Sequence, residues 1–214
     1  MRNRFEKQLQ ELNNNLVMMG TLCENAISLS INAFLEGDKE FIQEVLDMEQ
    51  EINEKETEIE RQCLKLLLQQ QPVAKDLRII SAALKMITDI ERIGDQACDI
   101  VELVQEVSEM YQESFPHIRN MAQEAVKMVR QSIEAFVKRD LELANYVIAY
   151  DDIVDDLFSA VKDDIIEKIK TDGNNVQILV DLLMIAKYLE RIGDHATNIA
   201  EWVVFSITGK HKEE

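Results

Sequence analysis

Two carboxylates one helical turn apart occur twice in this 214-residue chain, each time inside the same five residues, Glu-Arg-Ile-Gly-Asp. The first copy contributes Glu91 and Asp95, the second Glu190 and Asp194. A helix stacks positions i and i+4 on one face, so each copy presents two oxygen-bearing side chains side by side. Adjacent like charges of this kind are unfavourable by roughly 0.2–0.5 kcal/mol per pair unless a cation neutralises them. Carboxylate oxygens in pairs suit hard cations. The bland alternative is the solvated face of an amphipathic helix: with Leu189 as reference, Glu190, Asp194 and Asn198 fall roughly 100–180° around the wheel from it, nearly opposite the core stripe. Glu91, Asp95 and Asp99 do the same in the first copy.

The elements that hold these residues follow from apolar spacing. Phe5, Leu9, Leu12, Leu16, Met19, Cys23 and Ala26 step by four and three, the pattern of one long amphipathic helix. Gly37-Asp38 ends it, and a second helix runs from about Asp38 to Gln71, where Pro72 breaks it. A third, from about Ala74 to Tyr111, carries the first motif. After Ser114-Phe115-Pro116 the pattern begins again: a fourth helix, then Lys138-Arg139-Asp140 in the place of Glu36-Gly37-Asp38, a fifth to about Lys170, the turn at residues 171–175, and a sixth ending at Gly209. The chain reads as a tandem duplication, residues 1–112 and 113–214. The expected fold is all-α: two antiparallel three-helix bundles related by pseudo-twofold symmetry, and an elongated molecule.

Hairpin geometry gives each motif a facing pair. If helices two and three pair about Pro72, residues whose numbers sum to about 144 lie level. Glu91 then meets Asn53, and Asp95 meets Glu49. Pairing helices five and six about Asp172 puts Asp155 beside Glu190 and Asp151 beside Asp194. Each repeat thus places four oxygen donors at one height, on the rim rather than in the core. Gly94 and Gly193 sit at the edge of the core stripe, where a missing side chain lets a neighbouring helix approach. His195, replaced by Gln96 in the first copy, reads as a surface histidine.

Composition excludes several functions. A net charge of −18 disfavours nucleic acid and anionic membranes, which need clustered Lys and Arg. Dinuclear carboxylate enzymes need Glu-x-x-His pairs projecting into the core; none occurs, and the chain has three histidines. No Gly-rich phosphate loop is present. Cys23, Cys63 and Cys98 lie on or near apolar stripes and read as buried, reduced thiols. With no apolar leader and no run long enough to span a bilayer, the expected location is the cytoplasm.

The two Glu-Arg-Ile-Gly-Asp copies, the segment Tyr188 to Trp202 and the Lys75-Asp76-Leu77-Arg78 opening of helix three resemble the repeated signature of the PhoU family, over the whole chain. The resemblance implies a non-enzymatic regulator of phosphate uptake and the phosphate-starvation response. Its implied partners are the ATPase subunit of the phosphate ABC transporter and a sensor histidine kinase, with membrane association through those partners only. It also implies surface metal clusters held by paired acidic motifs. Carried over, the ligands are Glu49, Asn53, Glu91, Asp95 and Asp99 in the first repeat, and Asp151, Asp155, Glu190, Asp194 and Asn198 in the second. The cofactors would be divalent or ferric ions: iron, manganese, zinc or magnesium. Asn53 stands where the motif prefers Asp, and Asn198 replaces Asp99, so the two sites are expected to differ. The alternative is a metal-free helical scaffold. The sequence is silent on dimerisation, and a homodimer is carried as an expectation.

Overall fold

A computed structural model describes residues 2–36, 40–70, 73–104, 115–171 and 175–210. Among them the chain forms six helices and no strand: α1 (Arg2–Glu36), α2 (Glu40–Gln70), α3 (Ala74–Val104), α4 (Pro116–Lys138), α5 (Leu141–Thr171) and α6 (Val176–Thr208). The all-α duplication expected from the stripes is what the chain adopts. The expected cap at Asp38, the break at Pro72 and the last turns of helix three beyond Val104 lie outside the described residues.

Local chemistry sets the visible ends. Pro116 opens α4, where its missing N–H would have had no helical partner. Arg139 closes that helix in the left-handed region at φ 57°, a position more often given to glycine. Asp140 then caps α5, its Oδ1 accepting from the Leu143 N–H at 3.0 Å. Gly209 ends α6, donating its N–H to Phe205 O at 2.8 Å.

The two bundles share one core. α3 and α6 lie together at the centre, α1 packs on both α3 and α4, and α2 and α5 flank the outside, each against the other two helices of its own repeat. The central pair is antiparallel: Arg78 lies against Gly209, Asp89 against His195 and Asn198, and Asp99 is influenced by Arg191. α1 and α4 also cross antiparallel, with Gly20 facing Ile133 and Glu24 bonded to Arg130 at 2.6 Å. A Cβ on Gly20 would stand 2.1 Å from Ile133 Cδ1, so a side chain there would force the end of Ile133 to move. Aliphatic side chains from all six helices, from Leu12 to Val203, form a continuous buried cluster. Cys23 and Cys63 are buried in it and Cys98 is half-buried, all three as free thiols. Burial pushes the Cys63 and Cys98 thiols up to about 12 and Cys23 higher still, so the expected inert thiols are found.

Candidate metal centres

In the second repeat Asp155 lies near Glu190 and Asp151 near Asp194, as the hairpin arithmetic expects, while in the first Glu91 feels Glu56 and Glu49 across the helix pair. In the first repeat α2 and α3 run antiparallel with Ile52 against Gly94, and Cys98 Sγ 4.0 Å from Val45 O. In the second, a Cβ on Gly193 would meet Val154 Cγ1 at 3.4 Å and Asp151 Oδ1 at 3.5 Å. Asp151 therefore lies directly beside α6 at the Gly-Asp of the motif. Gly94 serves close helix packing, as its place at the stripe edge suggested, whereas the space beside Gly193 would take a Cβ in ordinary contact.

The carboxylates are not fully solvated. Side-chain exposure is 21% for Glu91, 30% for Asp95 and 15% for Glu190, because the flanking helix covers what the wheel leaves open. The chain supplies partial neutralisation of its own. In the first repeat Arg92 Nη1 donates to Asp95 Oδ2 at 3.1 Å, and its Nε lies 3.6 Å from Glu91 Oε2. Asn53 Nδ2 donates to Glu49 Oε1. In the second repeat Lys187 Nζ pairs with Glu190 Oε2.

The compensation is incomplete. Burial, then Asp95, hold the Glu91 carboxyl above its usual range against the opposing pull of Arg92. Burial, then Asp155 and Asp194, push Asp151 up to about 6, tempered by the Thr197 hydroxyl. Asp155 rises through burial and Glu190, and Asp194 through burial and the same Glu190. Each repeat therefore concentrates more negative charge than its local cations balance.

Two expected donors sit apart from the hairpin grooves. Asn198 turns to the α3–α6 seam, where Nδ2 donates to Asp89 Oδ1 at 3.2 Å. Asp99 faces the same seam, raised by burial and Glu102 and lowered by Arg191. His195 is also there, its Nδ1 2.9 Å from Asp89 Oδ1 with 18% of its side chain exposed. The surface reading of this histidine is thus corrected: the second repeat's α6 is covered on that flank by the first repeat's α3.

Glu56 was missed. It is raised by burial and Glu60, lowered by Arg92 and raised again by Asp95, which places it against the first motif. The signal was available, since Glu49, Asn53 and Glu56 follow i, i+4, i+7 on one stripe. At the matching position of α5 stands Phe158, with Lys187 Nζ 5.5 Å from its ring centroid. Cys98 similarly stands in the first repeat where Thr197 stands in the second. The two grooves share a backbone plan and differ in chemistry.

Both grooves fit a hard cation by their donors, which are carboxylate and amide oxygens. In the first, Asn53 Oδ1 is buried without a hydrogen-bond partner, an oxygen that an ion could satisfy. As the side chains stand, no three acidic, histidine or cysteine residues converge on one point among the described residues. Arg92 and Lys187 already pair with Asp95 and Glu190, so part of each groove's charge is neutralised within the chain.

A family model described as the PhoU domain matches residues 16–104 and again 118–203, one match per repeat. The chain belongs to the PhoU family. It is 35% identical over 208 residues to the phosphate-specific transport system accessory protein PhoU homolog of Clostridium acetobutylicum, covering 96% of this chain and 95% of that protein. The Pseudomonas aeruginosa PhoU homolog is 30% identical over 96% of this chain and 86% of that protein. The crystal structure of PhoU from P. aeruginosa superposes with a TM-score of 0.88, spanning 96% of this chain and all of that one, at 30% identity. The phosphate transport system regulatory protein PhoU of Streptococcus pneumoniae gives 0.89 at 26% identity, spanning 97% and 98%. No helix of the described PhoU-type fold is long and apolar enough to cross a membrane.

Proposed function

We propose that this chain is a non-enzymatic adaptor that regulates phosphate uptake and phosphate-starvation signalling from the cytoplasm. It would act on the ATPase subunit of the phosphate ABC transporter and on a sensor histidine kinase, reaching the membrane through them. The observation that carries this reading is the match of a PhoU domain to both repeats, on relatives named for accessory roles in phosphate transport. The grooves support it from the residue side, because paired carboxylates on a rim can bind ions without any group placed to turn over a substrate. A homodimer is part of the proposal.

The ligands would be Glu49, Asn53, Glu91 and Asp95 in the first groove and Asp151, Asp155, Glu190 and Asp194 in the second, with Asp99 and Asn198 at their seam-side margins. Iron, manganese, zinc or magnesium would supply there the positive charge that the carboxylates lack. Arg92 and Lys187 supply part of that charge meanwhile, as internal counter-ions that keep the grooves from repelling themselves apart.

Elemental analysis of protein purified without chelator tests the metal claim. Bound iron, manganese, zinc or magnesium should fall by about half in Asp95→Ala or Asp194→Ala and vanish in the double variant. Absence of all four from the wild-type protein would leave the metal-free scaffold instead.

A further inference from the structure

The acidity of this chain reverses at the tip of the first hairpin, as it also does over residues 116–139, where Arg119, Lys127, Arg130, Lys138 and Arg139 outnumber Glu124 and Glu134. Residues 61–78 carry four cations, Arg61, Lys65, Lys75 and Arg78, against one acid, Asp76. The matching tip of the second repeat, residues 163–177, has four acids, Asp163, Asp164, Glu167 and Asp172, against two lysines. The two tips join corresponding helices of the two repeats, and because α3 and α6 are antiparallel the starts of these helices lie at opposite ends of the central pair. Their charge is reversed.

The tip's cations are also uncommitted. Among the described residues Arg61, Lys65, Lys75 and Arg78 form no ion pair, whereas Arg92, Arg130, Lys138 and Lys187 each lie against a carboxylate. Arg78 Nε is buried with no hydrogen-bond partner. The same surface exposes the largest aliphatic fractions of the described chain, Leu68 at 83% and Val73 at 66%, with Leu64 and Leu77 beside them. Arg61, Leu64, Lys65 and Leu68 follow i, i+3, i+4, i+7, so cations and aliphatics share one stripe of α2. Arg61 and Lys65 also border a groove of about 580 Å³ between α1 and α2. The acidic rim at Asn53 lies roughly 12 Å along α2 from Arg61 and roughly 22 Å from Leu68, so at physiological salt it is screened from the outer part of the tip far more than from Arg61.

We propose that this tip docks an acidic segment of a partner protein. An aliphatic or aromatic side chain of that segment would seat among Leu64, Leu68, Val73 and Leu77, and its carboxylates would pair with Arg61, Lys65, Lys75 and Arg78. The inference rests on the adaptor reading above and adds where, and with what chemistry, one partner is held. Charge complementarity selects the occupant. A second copy fits poorly: tip against tip sets four cations against four. Tip against acidic rim is a heterologous contact between two strongly acidic chains and does not close into a dimer. An anionic membrane would have to approach the bulk of that same acidic chain.

The test uses the full-length chain with the transporter's ATPase subunit and the cytoplasmic part of the sensor kinase, measured by biolayer interferometry. Leu68→Ser with Val73→Ser removes the aliphatic seat, and Arg61→Glu with Lys65→Glu reverses the charge. Lys168→Glu with Lys170→Glu at the other tip is the control. All these positions are exposed except Lys168, which is half-buried, and circular dichroism checks each fold. For one of the two partners, Kd should rise about tenfold or more in both tip variants, stay within about twofold in the control, and weaken with salt. Wild-type affinity in the tip variants overturns the docking site and leaves the adaptor role standing. Tip-dependent binding to phosphatidylglycerol vesicles, or tip-dependent self-association in sedimentation velocity, overturns it in favour of a membrane or a second copy. Failure of the wild-type chain to bind either partner overturns both readings together.

Discussion

Asp151 holds its proton into a range where an ordinary aspartate is ionised, pushed up to about 6 by burial, then by Asp155 and Asp194. Its consequence for stability runs opposite to that of a salt-bridged carboxylate. Between about pH 4 and 6 the folded chain binds the proton and the unfolded chain does not, so stability falls as pH rises through that window. Above it both states are ionised and the cost is fully present. Asp151 is only half-buried, so solvent screening leaves roughly 1 kcal/mol. In chelator at pH 7, Asp151→Asn should raise the urea midpoint by a corresponding amount and flatten the pH dependence between 4 and 6. A lower midpoint than wild type would show that the charge is already compensated in the metal-free fold. The position of this residue was legible in the sequence, because hairpin register is fixed by the turn and by the period of the helix. Its surroundings were not. Arg92 with Asp95 and Lys187 with Glu190 are i, i+3 neighbours that the spacing already pairs, whereas the burial that raises Asp151 is set by packing, which spacing does not encode.

At the scale of the helix pair, the two motif glycines are identical in sequence and unequal in place. A Cβ on Gly94 would stand 3.0 Å from Ile52 Cδ1 and 3.3 Å from its Cγ2, tighter than the packing can accept without moving a buried isoleucine. On Gly193 the nearest atom, Val154 Cγ1, is at 3.4 Å, ordinary contact. Gly94→Ala should therefore lower stability by about 1–2 kcal/mol through overpacking. Gly193→Ala should be neutral or gain up to about 1 kcal/mol from helix propensity. Equal effects of the two, read by urea denaturation, would mean that the α2–α3 and α5–α6 contacts are equally close. The helices themselves were plain from their stripes, since few glycines and prolines interrupt them. What the stripes do not encode is which helices of different repeats meet. A buried leucine face on α6 is satisfied by α5, α4 or α3 alike. The choice of α3 appears only in polar contacts such as His195 with Asp89, whose partners are 106 residues apart.

For the whole molecule, the shared core decides how the duplication behaves. Two tandem bundles joined by a connection would unfold independently, since few contacts would cross between them. Here the central antiparallel pair consists of one helix from each repeat, and both belong to one continuous buried cluster through residues such as Ile90, Ile93, Ala97 and Val101 of α3 and Leu189, Ile192, Ala196 and Ile199 of α6. The α1–α4 crossing at Gly20 and Ile133 adds a second inter-repeat contact. Freed of its partner, either repeat would expose an aliphatic face, and fully exposing each buried Val, Leu or Ile side chain costs roughly 1.5–3 kcal/mol. A handful of such residues is comparable to the entire stability of a small domain. The chain should therefore unfold in urea as one transition, coincident by circular dichroism and by fluorescence of Trp202, with a slope appropriate to all 214 residues. A fragment spanning residues 1–112 should be unfolded, aggregated or self-paired rather than a stable monomer. Two resolved transitions, or a folded monomeric fragment, would show that each repeat closes its own core and that the α3–α6 seam is only a contact between finished domains.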